Sequence, residues 1–127
     1  MRAQAPKGDL IFIALLNHKI VAALRLHPVG LNSGQNCYLL RSMCVAAELR
    51  QQRIGSKLLQ HIQTDLEKIQ CYSFPFEHLV AFYQGANFIL CDAGTVPEAI
   101  ADKFQRYINN GKKIKLMKHQ PQSALTK

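Results

Sequence analysis

The spacing of apolar positions changes along this chain, and each change marks an element. Leu10 to Leu16 is an almost unbroken apolar run, the pattern of a buried strand. Asn17-His18 follows as a turn, and Lys19 to Leu26 resumes as a second strand, so the pair predicts a hairpin. Pro28 and the polar run from Gly30 to Asn36 predict a loop. Cys37 to Val45 predicts a third strand, with Tyr38, Leu40 and Ser42 on one face and Leu39, Arg41 and Met43 on the other. Then the period lengthens. Ile54, Leu58, Leu59, Ile62, Leu66 and Ile69 recur at three- and four-residue steps, which predicts an amphipathic helix. Lys57, Gln60, Gln63, Thr64 and Glu67 fall largely on its wet side. A short strand over Ile69–Phe74 is broken by Pro75. Glu77–Gln84 predicts a second helix, closed by Asn87 in a left-handed conformation. Phe88–Cys91 is a short strand, and Pro97–Ile108 a third helix with Pro97 in its first turn. Asn110-Gly111 turns the chain into a last alternating strand, Lys113–Lys118. Residues 1–8 and 119–127 read as frayed ends.

The order predicts an α/β (α+β) fold: a mixed, mostly antiparallel central sheet flanked by helices. With 127 residues, no internal repeat and no linker-like stretch, 1–127 reads as one domain. The longest apolar run is too short to span a membrane, and the first nine residues lack the apolar centre and cleavage site of a secretory signal. The expected location is the cytoplasm, with no membrane partner. Cys37, Cys44, Cys71 and Cys91 lack the spacing of a zinc clip and read as buried, reduced thiols; no metal is expected. The net charge is +8, and from Lys103 onward there are seven Lys or Arg and no Asp or Glu. That segment is either a solvated basic tail or an attractor for a polyanion. Nucleic acid is the least favoured of those polyanions, because Phe104 and Tyr107 sit at helical spacing and read as core.

The chemistry concentrates at the junction between the third strand and the first helix, where residues 50–56 read Arg-Gln-Gln-Arg-Ile-Gly-Ser. A helix start offers main-chain N–H groups without internal partners and the positive end of the helix dipole. Gly55 has no Cβ, so a phosphate could approach the main chain there; the alternative is that it permits close helix–strand packing.

This junction resembles the phosphate loop of the GNAT superfamily of acyl-CoA-dependent N-acetyltransferases, whose signature is Arg/Gln-x-x-Gly-x-Gly/Ala reached directly from a buried strand. Arg50 fills the first position, and Gly55 and Ser56 fall at the end. Arg53 stands where the first Gly usually is, which such a loop bears if that residue keeps ordinary helical φ. Downstream, Phe82-Tyr83-Gln84-Gly85-Ala86-Asn87-Phe88 is similar to the family's Phe-Tyr-x-x-x-Gly-Phe segment, with Asn87 in place of Gly. Two matches in the right order are far more specific than one. The resemblance covers roughly Lys19 to Lys118.

The resemblance implies a GNAT fold, acetyl-CoA as co-substrate, and a small-molecule or peptide amine as acceptor. Met43, Cys44 and Val45 would offer main-chain groups to the pantetheine amides. Arg50, Gln51, Gln52, Arg53, Ile54, Gly55 and Ser56 would cradle the pyrophosphate. Tyr83 would give a proton to the departing thiolate as the amine attacks the thioester directly. The usual carboxylate base on the preceding strand has no counterpart in Tyr38-Leu39-Leu40-Arg41-Ser42. Glu48 lies in the loop beyond, and Glu77, His78 and His27 are weak substitutes; a water chain would also serve. Relatives open with a strand and two helices that wall the acceptor site, and few residues precede Leu10 here. The acceptor pocket is therefore expected to be open or completed by another subunit, as in a homodimer. The alternative reading is a non-catalytic acyl-CoA-binding module or sensor.

Overall fold

The computed structural model describes residues 2–4, 8–32, 35–47 and 53–120. Seven strands form one sheet: β1 (Arg2–Gln4), β2 (Leu10–Leu16), β3 (Lys19–Asn32), β4 (Gln35–Val45), β5 (Gln70–Ser73), β6 (Phe88–Leu90) and β7 (Met117–His119). Between β4 and β5 lie α1 (Ile54–His61) and α2 (Gln63–Leu66). A 3-10 turn at Glu77–Leu79 leads into α3 (Val80–Gln84), and another at Ala93–Thr95 precedes α4 (Glu98–Asn109). The strand order is β1-β2-β3-β4-β5-β7-β6. Only β4–β5 is parallel. A parallel pair needs a crossover, which α1 and α2 supply.

Apolar burial splits the core by face. Phe12, Leu24, Leu26, Leu40, Tyr83 and Phe88 pack with Leu58, Leu59, Ile62 and Leu66 of the α1–α2 segment. On the other face Leu39, Tyr72 and Leu116 pack with Ile100 of α4. The expected mixed, mostly antiparallel sheet flanked by helices is the observed one. Asn17 and His18 turn the β2–β3 hairpin with φ of 52° and 67°, the left-handed geometry a tight hairpin asks for.

The boundaries differ in instructive ways. β3 and β4 run on through Gly30–Asn32 and Gln35–Asn36, where a loop was expected. A bulge lets the extra Val29 stand opposite no partner, and the ladder resumes at Gly30 with φ of 128°. β1 is a further strand within the expected frayed start, paired to β2. Three residues are too few to show a period.

A second bulge has greater consequence. Arg25 pairs with Ser42 and Leu26 with Leu40, so Arg41 is one residue too many in β4. Strict alternation puts Met43 on the face of Leu39. The bulge reverses it, and Met43 and Val45 join the Leu40 face, packed against the α1-side core.

The expected single helix is two. Ile62 leaves helical geometry at φ −98° and ψ 13°. Gln63, assigned to the wet side, is half-buried here, and its side-chain amide donates to the carbonyls of Leu59 (3.0 Å) and Ala86 (3.1 Å). Its oxygen accepts from Asn87 Nδ2 (3.0 Å) and His119 Nε2 (2.9 Å). One side chain thus ties α1 to the end of α3 and to β7. Asn87 has φ of 69°, as its position after α3 predicts. His119, expected to be frayed, is 4% exposed inside β7, its ring edge-on to Phe88 at 5.3 Å.

Burial pulls the His119 imidazole down to about 4 from its ordinary 6.5, so the folded protein holds it neutral. The unfolded chain takes up the proton first, and stability drains away as pH falls from about 6.5 toward 4. The loss is on the order of 3 kcal/mol. Urea unfolding across that window should show this slope, and His119→Gln should flatten it; an unchanged slope in the variant would assign it to other groups.

Candidate active site

The sheet opens where its one parallel pair ends. β4 and β5 are in register from Cys37–Gln70 to Leu40–Ser73 and part beyond. From Arg41 to Cys44, β4 keeps β3 as its strand neighbour. The opening is a cleft of about 650 Å³. Met43 and Val45 form its β4 wall, Gly55 and Ser56 of α1 close one end, and Phe82 and Tyr83 of α3 lie across it.

The two sequence segments at the heart of the resemblance meet here. A Cβ built on Gly55 would lie 3.5 Å from the Phe82 ring, 3.6 Å from Val45 and 3.8 Å from the Met43 sulfur. These are ordinary contact distances, so Gly55 keeps the helix start close to the strand edge and to α3 without being sterically obligatory. The first α1 bond runs from Lys57 N–H to the Arg53 carbonyl at 2.9 Å, which leaves the N–H groups of Ile54, Gly55 and Ser56 ahead of the ladder. Among the described residues, no side chain caps this end, and its first turn holds no acid. That is the donor arrangement a pyrophosphate needs.

Arg53 departs from expectation. Its φ is 60° and ψ 27°, left-handed rather than helical. A side chain costs about 1–2 kcal/mol in that region, which is why glycine suits the position. Arg53 also borders, with Ser56 and Lys57, an open depression on the outer side of α1. Ile54 packs against the core, and Cys44 is exposed and absent from the cleft lining. Cys37 and Cys71 are buried as expected, whereas Cys44 is exposed and Cys91 is only partly covered. Arg50, Gln51, Gln52 and Glu48 lie outside the described residues.

Tyr83 is 7% exposed and held edge-on between Phe82 at 5.1 Å and Phe88 at 5.5 Å. Burial, with a smaller contribution from Cys71, pushes its phenol up to about 12. It therefore keeps its proton at neutral pH. The weak base candidates are elsewhere. His27 Nδ1 bonds Asp9 Oδ1 at 2.7 Å, and that aspartate also meets Arg25 Nε at 3.1 Å. Glu77 and His78 are exposed on the 3-10 turn. Among the described residues, no Asp, Glu or His lines the cleft.

Sequence reasoning missed the far wall: Leu40, Arg41, Ser73, Phe74, Pro75, Phe76 and Leu79. Leu40 and Arg41 come from β4, and the others from the end of β5 and the segment after it, where no motif points. Ser73 is the notable one. It is 1% exposed, and its Oγ has no hydrogen-bond partner among the described residues.

The acetyltransferase (GNAT) domain family model matches residues 7–90 of the 127-residue chain. The chain belongs to the GNAT acetyltransferase family. Solved GNAT-fold structures superpose on it at low identity. N-acetylglutamate synthase from Neisseria gonorrhoeae, complexed with coenzyme A and N-acetyl-glutamate, overlays with TM-score 0.64 at 14% identity over 89% of this chain and 25% of that one. Tetrahymena GCN5 gives 0.63 at 14% over 89% and 68%. Arabidopsis thaliana Naa50, in complex with the bisubstrate analogue CoA-Ac-MVNAL, gives 0.61 at 22% over 88% and 72%. This chain thus spans a quarter of the Neisseria protein's length and about two thirds of GCN5's. No curated protein matches it in sequence. Among the described residues, no helix is long and apolar enough to cross a membrane.

Two stability outcomes follow for this GNAT site. An orphaned buried hydroxyl costs about 1–3 kcal/mol, so Ser73→Ala should raise the melting temperature by a few degrees in the ligand-free protein. Arg53→Gly should relieve about 1 kcal/mol of left-handed strain and also raise it. Calorimetry checks both; a drop in either variant contradicts the cause assigned to it.

Proposed function

We infer that the protein is an acetyl-CoA-dependent N-acetyltransferase that moves an acetyl group to a primary amine by direct attack. The observation that carries this reading is Tyr83, a buried and protonated phenol in the cleft formed where β4 leaves β5. Pantetheine would lie along β4 at Met43, Cys44 and Val45. The pyrophosphate would rest on the N–H groups of Ile54, Gly55 and Ser56, with Arg53 adding a charge-assisted contact and residues 50–52 completing the loop. Two fold neighbours are complexed with CoA and N-acetyl-glutamate and with the bisubstrate analogue CoA-Ac-MVNAL, which fits an amine as acceptor.

In the reaction the amine nitrogen's lone pair attacks the thioester carbonyl carbon. The new C–N bond forms, the C–S bond breaks with its pair going to sulfur, and Tyr83 Oη–H protonates the thiolate. The ammonium proton passes to water, which restores the phenol. Products are an amide and CoA. Holding amine and thioester together contributes up to ~7–11 kcal/mol, more than the roughly 10²–10⁴ in rate that a placed acid supplies.

Saturating acetyl-CoA should raise the melting temperature, since ligand at 100 times Kd stabilises by about 2.7 kcal/mol. Tyr83→Phe should keep that shift and lower turnover by about 10²-fold or more. No shift at millimolar ligand ends the reading. Binding without CoA release on any amine would make the chain an acyl-CoA-binding module instead.

A further inference from the structure

A second cavity of about 420 Å³ lies on the α4 face, and Leu40, Arg41, Phe74 and Phe76 border both it and the cleft. A ligand on this second side reaches the split between β4 and β5 from the face opposite α1 and α3. The walls are apolar: Phe74, Phe76 and Ile114. Phe76 is 47% exposed, an aromatic surface with room for a partner.

The rim is cationic by construction. Arg41 is the bulged residue of β4, and its Nη2 donates to the Tyr107 hydroxyl at 3.5 Å. Lys112 follows Gly111, whose φ of 87° folds the chain back over the end of α4. The Lys112 N–H then donates to the Tyr107 carbonyl at 3.0 Å. Tyr107 thus bonds the Arg41 guanidinium and the Lys112 main chain, both residues line this cavity, and its ring is braced edge-on by Phe74 at 5.8 Å. Asp9 is paired with Arg25 and His27, and among the described residues neither rim cation has a carboxylate partner. Among the described residues, no acid lines this cavity.

We propose that the acceptor is a small primary amine bearing a carboxylate or a phosphate, which enters from the α4 side and is held by Arg41 and Lys112 through its anionic group. The proposal rests on the acetyl-transfer reading above. A guanidinium forks onto either anion, and an ammonium adds a point charge. With the anion at the rim and its hydrocarbon against Phe74, Phe76 and Ile114, the amino end faces the split where the thioester would arrive. A cavity of this volume suits a molecule of amino-acid size. Polyamines are excluded by like charge.

The test measures CoA release from acetyl-CoA by the full chain with matched amines: phenylalanine against phenylalaninamide, phosphoethanolamine against ethanolamine, and spermidine. The anionic member of at least one pair should have a kcat/KM about tenfold higher or more, and the pair with the larger ratio tells carboxylate from phosphate. Lys112→Gln, an exposed change, should raise the KM for the favoured amine about tenfold while acetyl-CoA affinity by titration stays put. Arg41→Gln should raise that KM as well. Faster neutral amines or spermidine, no anionic amine acetylated by a protein that binds acetyl-CoA, or an unchanged KM in Lys112→Gln would each overturn the proposal. Failure to bind acetyl-CoA would show in the titration and would remove the parent reading together with this one.

Discussion

Arg41 is the one residue of β4 without a place opposite β3, and the sheet opens beside it. A bulge bends its strand and increases its twist, so β4 cannot stay in register with a straight neighbour beyond that point. It also resets alternation, turning Met43 and Val45 toward the helices. The edge that faces the cleft, the apolar wall of the cleft and the cation at its far rim all follow from this one extra residue. A regular β4 would have left Met43 and Val45 on the other face of the sheet.

Packing against that edge brings the two sequence segments together. α1 begins within contact distance of Met43, Val45 and Phe82, with Gly55 at the point of approach. α3 is only five residues long and would not persist in water alone. It is held by Phe82, Tyr83 and Phe88 stacking edge to face and by Gln60 and Gln63 donating to the carbonyls of Gly85 and Ala86. The same Gln63 reaches Asn87 and His119, so a half-buried polar hub as well as apolar contact secures the end of α3.

Charge is distributed by the same architecture. The buried carboxylate of Asp9 is matched by Arg25 and His27 on the β2–β3 side, away from the cleft. The cleft itself is bordered by cations, with Arg53 at the α1 end and Arg41 bordering both cavities. A basic chain whose cleft has no acid among its described lining residues suits anionic ligands, and burial keeps the Tyr83 phenol protonated.

The chain by itself determined the order of elements, the hairpin at Asn17-His18, the helix start at Ile54 and the left-handed Asn87, because each depends on neighbours a few residues apart. It also pointed to Gly55 and Tyr83 through two short motifs. It did not disclose the Arg41 bulge, since a period of two carries no mark of where one residue will be skipped. Nor did it disclose that Arg53 is left-handed, that Ile62 interrupts the helix, or that Gln63 and His119 are partners 56 positions apart. Ser73, Phe74, Phe76 and Lys112 belong to no motif, and they reach the site because β5 lies beside β4 and α4 folds back across it. Those placements are long-range, fixed by which surfaces bury one another, and only the folded sheet could decide them.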